Sequence, residues 1–259
     1  MKTTAYPMAL LAMALCAAVT SAKPDNALFT AVLKAHVKDG LVDYVGLKAD
    51  PRLAGYLEQL SATDPAKLAS DQERLALWLN AYNAYTLQLI IDRQPAKSIT
   101  EIGTGGLALG SLLRTTAWDI PFAVIGKRRY TLNQIEHEVI RARFKDARAH
   151  FALNCASCSC PALRSEAYEA EKLDRQLDEQ GRLFLRDSTR NRFELGTRTA
   201  YLSSIFKWYP KDFGEGDRGA LLAAAKYAPA EVRKSIEADP TTWKVEYLAY
   251  DWSLNDQKH

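Results

Sequence analysis

Three cysteines lie within six residues, Cys155, Cys158 and Cys160, in the run Asn154-Cys-Ala-Ser-Cys-Ser-Cys-Pro161. Thiols are nucleophiles, soft-metal ligands and redox groups, so the cluster needs a chemical account. As a reactive thiol, Cys155 would emerge at the end of an apolar stretch, Arg148–Asn154, that reads as a buried strand. If the loop then turned quickly into helix, helical N–H groups would favour its thiolate. As a structural staple, a Cys155–Cys160 bridge needs a tight turn. Five residues can span ~16 Å when extended, whereas bridged Cα atoms lie within ~7 Å, and Ala156-Ser157 does not demand such a turn. Cys155 and Cys158 have the Cys-x-x-Cys spacing of redox thiols, without a thioredoxin context. Zinc or copper(I) could be held by the three thiolates with His150, but structural zinc sites draw on two separated pairs and a second cysteine pair is missing. No metal and no other cofactor is expected.

A catalytic thiol wants an imidazole within reach and a third group to orient it. Of His36, His137, His150 and His259, only His137 stands in a conspicuously polar helical context, Ile135-Glu136-His137-Glu138. It is the candidate base, or else an exposed helix residue. Glu136 points about 100° away on an α-helix and need not be the orienter. His150 reads as a strand residue satisfied by the backbone, and His36 as part of an apolar helix face. Asn80 and Asn83 interrupt an apolar helix at i and i+3 and share a face. Buried amides need partners, so they either bond to neighbouring loops or line the pocket of Cys155. Trp118-Asp119 and Tyr250-Asp251-Trp252 offer aromatic walls with carboxylates, suited to packing or to a substrate cleft.

The elements that would position these groups follow from periodicity and punctuation. Apolar spacing predicts helices over Asn26–Val37, from Pro51, from a Ser70 or Asp71 cap to just before Pro95, and from a Thr131 or Asn133 cap to about Arg143. Later helices are expected near 169–187, 217–227 and 230–237. Strands are expected at Leu41–Val45, in a hairpin over 122–131, near 192–195 and 200–202, and at 243–250. Gly103–Gly110 is glycine-rich but lacks the strand-then-helix context of a phosphate cradle, and reads as a loop. Helices followed by short strands favour a single α+β domain over residues 23–259, with helices packed on a small, mostly antiparallel sheet.

Residues 1–22 read as a cleavable secretory signal. Lys2 is followed by an uncharged apolar run from Met8 to Thr20, with Thr20 and Ala22 at the minus-three and minus-one positions. That run is shorter than the ~20 residues of a spanning helix. Cleavage would leave 237 of the 259 residues and remove Lys2, taking the net charge from +3 to +2. A near-neutral surface gives no support to nucleic-acid binding. The expected home is a periplasm or the exterior, with no membrane association after cleavage and an unidentified small-molecule or peptide substrate. In such an oxidising compartment adjacent thiols tend to pair.

Taken together, Trp78-Leu-Asn80-Ala-Tyr82-Asn83-Ala, Ile135-Glu136-His137, Arg141, His150-Phe-Ala-Leu-Asn154-Cys155, Ser159-Cys160-Pro161 and Tyr250-Asp251-Trp252-Ser-Leu-Asn255 resemble the DUF547 family. That is a family of unknown function in bacteria and plants, and the resemblance runs from about Asn26 to Asn255. Plant relatives often carry Ser-Ser-Pro in place of Ser159-Cys160-Pro161 while keeping the cysteine that matches Cys155. The resemblance therefore implies that Cys155 is the essential thiol, Cys160 is accessory, and Cys158 lies outside the pattern. The leading expectation is a thiol-dependent enzyme with a papain-like layout, catalysing acyl transfer or amide hydrolysis. Cys155 would be the nucleophile and His137 the base, with Asn154, Asn83 or Asn80 around the developing charge. Glu136, Arg141, Trp118, Ser159 and Cys160 would complete the binding surface. The alternatives are a thiol–disulfide or soft-metal protein using all three cysteines, and a ligand-binding module without catalysis.

Overall fold

A computed structural model describes residues 23–104 and 115–258. The signal-like segment 1–22, most of the Gly103–Gly110 loop and His259 lie outside the described residues. The element that organises the fold is the helix Asp71–Arg93. Ser70 caps it by accepting the Glu73 N–H through its hydroxyl at 3.1 Å, and Glu73 returns the favour to the Ala69 N–H. The sequence suggests one apolar stripe, but residues 75–87 are buried on every face. The helices Tyr44–Lys48 and Pro51–Ala62, the strand Ala123–Ile125 and the helix Gln134–Phe144 all pack around it.

The 122–131 hairpin forms as expected, with Ala123 opposite Tyr130. Its turn, Gly126-Lys127, takes φ of +57° and +64°, the left-handed pair that two-residue hairpins favour. Leu41–Val45 does not remain extended. Only Leu41–Val42 is strand, paired with Val37–Lys38, because Asp43 accepts the Gly46 N–H and caps the helix Tyr44–Lys48.

Two further elements depart from expectation. Helix Gln134–Phe144 is wound as a π-helix rather than an α-helix. It starts at Thr131, whose hydroxyl accepts the Gln134 N–H while the Gln134 side chain accepts the Thr131 N–H. The presumed strand over 148–154 is instead a 3₁₀ turn, Ala147–Phe151. Asp146 caps it by accepting the Arg148 N–H at 2.9 Å, and the Arg148 guanidinium binds Asp146, Asp174 and Asp178. A local cap and an ion cluster outweigh the apolar run.

The main sheet has three strands. Arg192–Glu194 runs antiparallel to Thr199–Leu202, which pairs in parallel with Lys244–Tyr247. The parallel pair requires a crossover, supplied by the helices between residues 204 and 238. The chain is thus an α+β protein. One apolar core surrounds the 71–93 helix, and a second joins Phe151, Phe184, Phe206 and Phe213 to the sheet and the C-terminal helices. The 3₁₀ turn lies on the seam, since Ala149 belongs to the first core and Phe151 to the second. Among the described residues no helix is long and apolar enough to cross a membrane.

Candidate functional site

The cysteine loop begins where the 3₁₀ turn ends. Cys155 and Cys160 are joined by a disulfide with Cα atoms 6.3 Å apart, and Cys158 is free. The turn that permits this is at Ala156, in left-handed backbone at φ +60°. Such a conformation costs a non-glycine residue about 1–2 kcal/mol, offset here by dense bracing. Asn154 Oδ1 accepts the Ala156 N–H at 2.9 Å, and Cys160 N–H bonds back to the Ser157 carbonyl. Arg190 donates to the carbonyls of Cys158 (2.8 Å) and Cys160 (2.7 Å). The C-terminal segment closes the other side, where Cys158 N–H reaches Ser253 O and the Cys158 thiol reaches Leu254 O.

No helix follows the loop until residue 170, so Cys155 has no helix N-terminus to favour its thiolate. The two bridged sulfurs differ in their surroundings. Cys160 is 1% exposed, and its sulfur has three donors in reach: the Cys155 N–H at 3.0 Å and the Ser157 and Tyr250 hydroxyls at 3.2 Å. Cys155 is half-buried, with the Ser157 and Tyr250 hydroxyls at 3.5 Å. Burial pushes the Tyr250 phenol up to about 12, partly opposed by Ser157 and Arg190. It therefore stays a proton donor at neutral pH.

The bridge forms part of the wall of a cleft of about 240 Å³ on the seam between the two cores. Tyr82, Trp118, Trp208, Tyr209, Tyr250 and Trp252 supply aromatic walls. Trp118 meets Trp252 edge-on at 5.8 Å, and Trp208 stacks on Trp252 at 5.7 Å. The polar lining includes Glu136, His137, His150 and Asn133. The wide π-turn narrows the angle between successive side chains, so the neighbours Glu136 and His137 both reach the cleft. Burial, and then the Glu136 charge beside them, raise the Tyr82 and Tyr209 phenols well above the ordinary tyrosine range.

Behind the cleft a charged relay fixes the histidines. Asp212 accepts from His150 Nε2 and from Arg141 Nε, each at 2.6 Å. Those two partners, His150 first, hold the Asp212 carboxyl far below the usual carboxylate range despite its partial burial. His150 stacks on Tyr209 at 4.2 Å, and Arg141 lies over the same ring at 4.5 Å. Arg141 also places an N–H donor 3.0 Å from His137 Nδ1. Guanidinium can only donate, so Nδ1 is the acceptor and the neutral His137 ring carries its proton on Nε2. Neither nitrogen is then poised to take a proton from Cys155, and the polar contacts of the Cys155 sulfur are hydroxyls.

Of the sequence-selected residues, Cys155, Cys160, His137, Glu136, Trp118, Tyr250 and Trp252 share the cleft. The others act behind it. Asn80 holds both the N–H and carbonyl of Tyr168 at 2.8 Å. Asn83 accepts the Asn154 N–H and donates to the Ala152 carbonyl, both at 3.0 Å. Asn154 donates to the Pro161 carbonyl at 2.9 Å. These amides are engaged by backbone: Asn83 and Asn154 brace the cysteine loop and Asn80 the segment at Tyr168, and they do not surround a developing charge. Ser159 holds the Asp251 N–H at 2.8 Å. Asp119 and Asp251 cap their own turns through Thr116 and Ser253 and are not cleft carboxylates.

His150, expected as a backbone-satisfied strand residue, instead lines the cleft and bonds to Asp212. The stretch Trp208-Tyr209-Pro-Lys-Asp212 escaped sequence reasoning, and its cluster of aromatic and acidic residues was the available signal. Among the described residues no group of three or more His, Cys, Asp or Glu comes together as a metal site.

An α+β protein with a half-exposed disulfide in an aromatic cleft is the class that fold and site define. Residues 65–185 match the family described as "Protein of unknown function, DUF547", so the chain carries a domain of that family. The match includes the 71–93 helix, the π-helix and the cysteine loop, and ends before Tyr209, Tyr250 and Trp252. Neither a curated protein nor a solved structure matches the chain significantly.

Proposed function

We propose that the cleft is a thiol–disulfide exchange centre of an exported protein, in which Cys155 receives the partner and Cys160 is the leaving thiolate. The observation that carries this reading is the asymmetry of the bridge: a half-buried sulfur on the cleft wall joined to a buried one surrounded by donors. An incoming thiolate attacks the Cys155 sulfur, the Cys155–Cys160 bond breaks, and Cys160 keeps the electron pair. Hydrogen bonds to that thiolate favour its departure. A second partner thiol then attacks the mixed disulfide and releases Cys155. The partner is oxidised by two electrons and becomes a disulfide, and this chain becomes a dithiol. The partner is a thiol-bearing peptide or small molecule. A signal-like N-terminus supports the reading, because disulfides persist in oxidising compartments.

A second reading is thiol-dependent acyl transfer by the reduced protein, favoured by the placement of Cys155 and His137 in one cleft. It requires His137 to exchange its tautomer or release Arg141.

Iodoacetamide labelling with mass-spectrometric site assignment tests both. For exchange, Cys158 labels without reductant, Cys155 labels first after mild reduction, and the bridge re-forms with an oxidised dithiol. Labelling of Cys155 without reductant, or a bridge that resists excess dithiothreitol in the folded protein, rejects the exchange reading. Ester or amide turnover by reduced protein that vanishes in Cys155→Ser and in His137→Ala supports acyl transfer.

A further inference from the structure

The Glu136 side chain is nine-tenths buried and lines the cleft. A buried carboxylate is expensive unless a cation or several donors compensate it. Among the described residues no lysine or arginine pairs with it. The ring of His137 is 3.9 Å away, and its Nδ1 is already an acceptor for Arg141. The Arg141 charge itself is committed to Asp212 and the Tyr209 face. The Tyr82 and Tyr209 hydroxyls hydrogen-bond to Glu136, so it brings to the cleft a negative charge that neutral donors solvate but no fixed cation balances.

The surroundings of that charge are ring faces. Trp118 and Trp252 meet at 74°, forming a corner, and Trp208 and Tyr250 extend the same wall, each in contact with Trp252. Trp208 is 43% exposed, so part of its ring is open to solvent. Aromatic faces attract cations that carry no strong hydrogen-bond donors, because the ring quadrupole presents its negative side. A strongly hydrated ammonium would demand acceptors that these walls lack.

We infer that the cleft binds a small alkylated ammonium cation, its methyl groups against Trp118, Trp208 and Trp252 and its charge balanced by Glu136. This goes beyond the exchange reading and does not depend on it. A cleft that binds such a cation while its bridge resists reduction would keep this inference and lose the other.

The experiment titrates purified oxidised protein with choline chloride at constant ionic strength, followed by tryptophan fluorescence and calorimetry. The uncharged isostere 3,3-dimethylbutan-1-ol is the comparison. Choline is expected to saturate, the isostere to bind at least tenfold more weakly, and Glu136→Gln to lower choline affinity at least tenfold. If Glu136→Gln does not fold, Trp208→Leu, at an exposed ring, should weaken choline several-fold. Equal affinity for the isostere, no saturation by choline, or an unchanged affinity in the folded variant overturns the inference.

Discussion

The Tyr250 hydroxyl lies 3.2 Å from the Cys160 sulfur and 3.5 Å from the Cys155 sulfur, so one residue of the C-terminal segment touches both halves of the bridge. Its phenol is held as a donor by burial. Tyr250→Phe should remove a hydrogen bond from the Cys160 thiolate, an interaction worth about 1.5–3 kcal/mol for a charged acceptor. The reduced form loses most, so the reduction potential should fall by on the order of 30–60 mV. Equilibration against glutathione or dithiothreitol buffers measures this. An unchanged or raised potential would remove Tyr250 from the proposed exchange chemistry.

Asp212 makes stability depend on acid. Its folded carboxyl is depressed by His150 and Arg141, whereas the unfolded carboxyl titrates near 3.9. A depressed group contributes its stability fully above the unfolded value and loses it as pH falls through the folded one. Wild-type protein should therefore lose this contribution progressively below about pH 4. Asp212→Asn should be about 2 kcal/mol less stable at neutral pH, since it deprives the His150 and Arg141 donors of their charged acceptor. The gap between the two proteins should narrow in acid. Urea denaturation across pH reads both, and parallel curves would contradict the assignment.

Asn83 is a bracket between the central helix and the cysteine loop. Asn83→Ala leaves the Asn154 N–H and the Ala152 carbonyl buried and unpaired, which should cost about 2–4 kcal/mol. Amide hydrogen exchange at Asn154 should accelerate more than exchange in the three-stranded sheet, because the lost bonds lie in the loop. Uniform acceleration across the chain would indicate only a global loss of stability.

Cys158 stands outside the bridge, and its thiol donates to Leu254 O at 3.3 Å. Cys158→Ala should leave the Cys155–Cys160 potential unchanged, remove one thiol from the count without reductant, and cost at most about 1 kcal/mol. A shifted potential would bring Cys158 into the chemistry.

Much of the secondary structure was written locally. Ser70 and Glu73 set the start of the long helix, Gly126-Lys127 set a hairpin turn, and apolar spacing marked most helices. Where a local signal was ambiguous, competing contacts decided. Residues 148–154 read as a strand, but Asp146 and the Arg148 ion cluster make 147–151 a 3₁₀ turn. The 134–144 helix has the period of an α-helix yet winds as a π-helix, packed on the 71–93 helix with His137 beside Tyr209.

The sequence by itself determined that the cysteines cluster in one short loop, that Glu136, His137 and Trp118 are candidates to stand near it, and that Tyr250 and Trp252 could wall it. Chemistry-bearing residue types stand out wherever they lie, so these were legible. Only the tertiary structure decided which of them meet. It bridged Cys155 to Cys160 through a left-handed Ala156, turned Asn80, Asn83 and Asn154 into backbone brackets, and brought His150 and Asp212 together across 62 residues. Those outcomes depend on which backbone groups burial leaves in need of partners, and that is settled by the packing of distant elements.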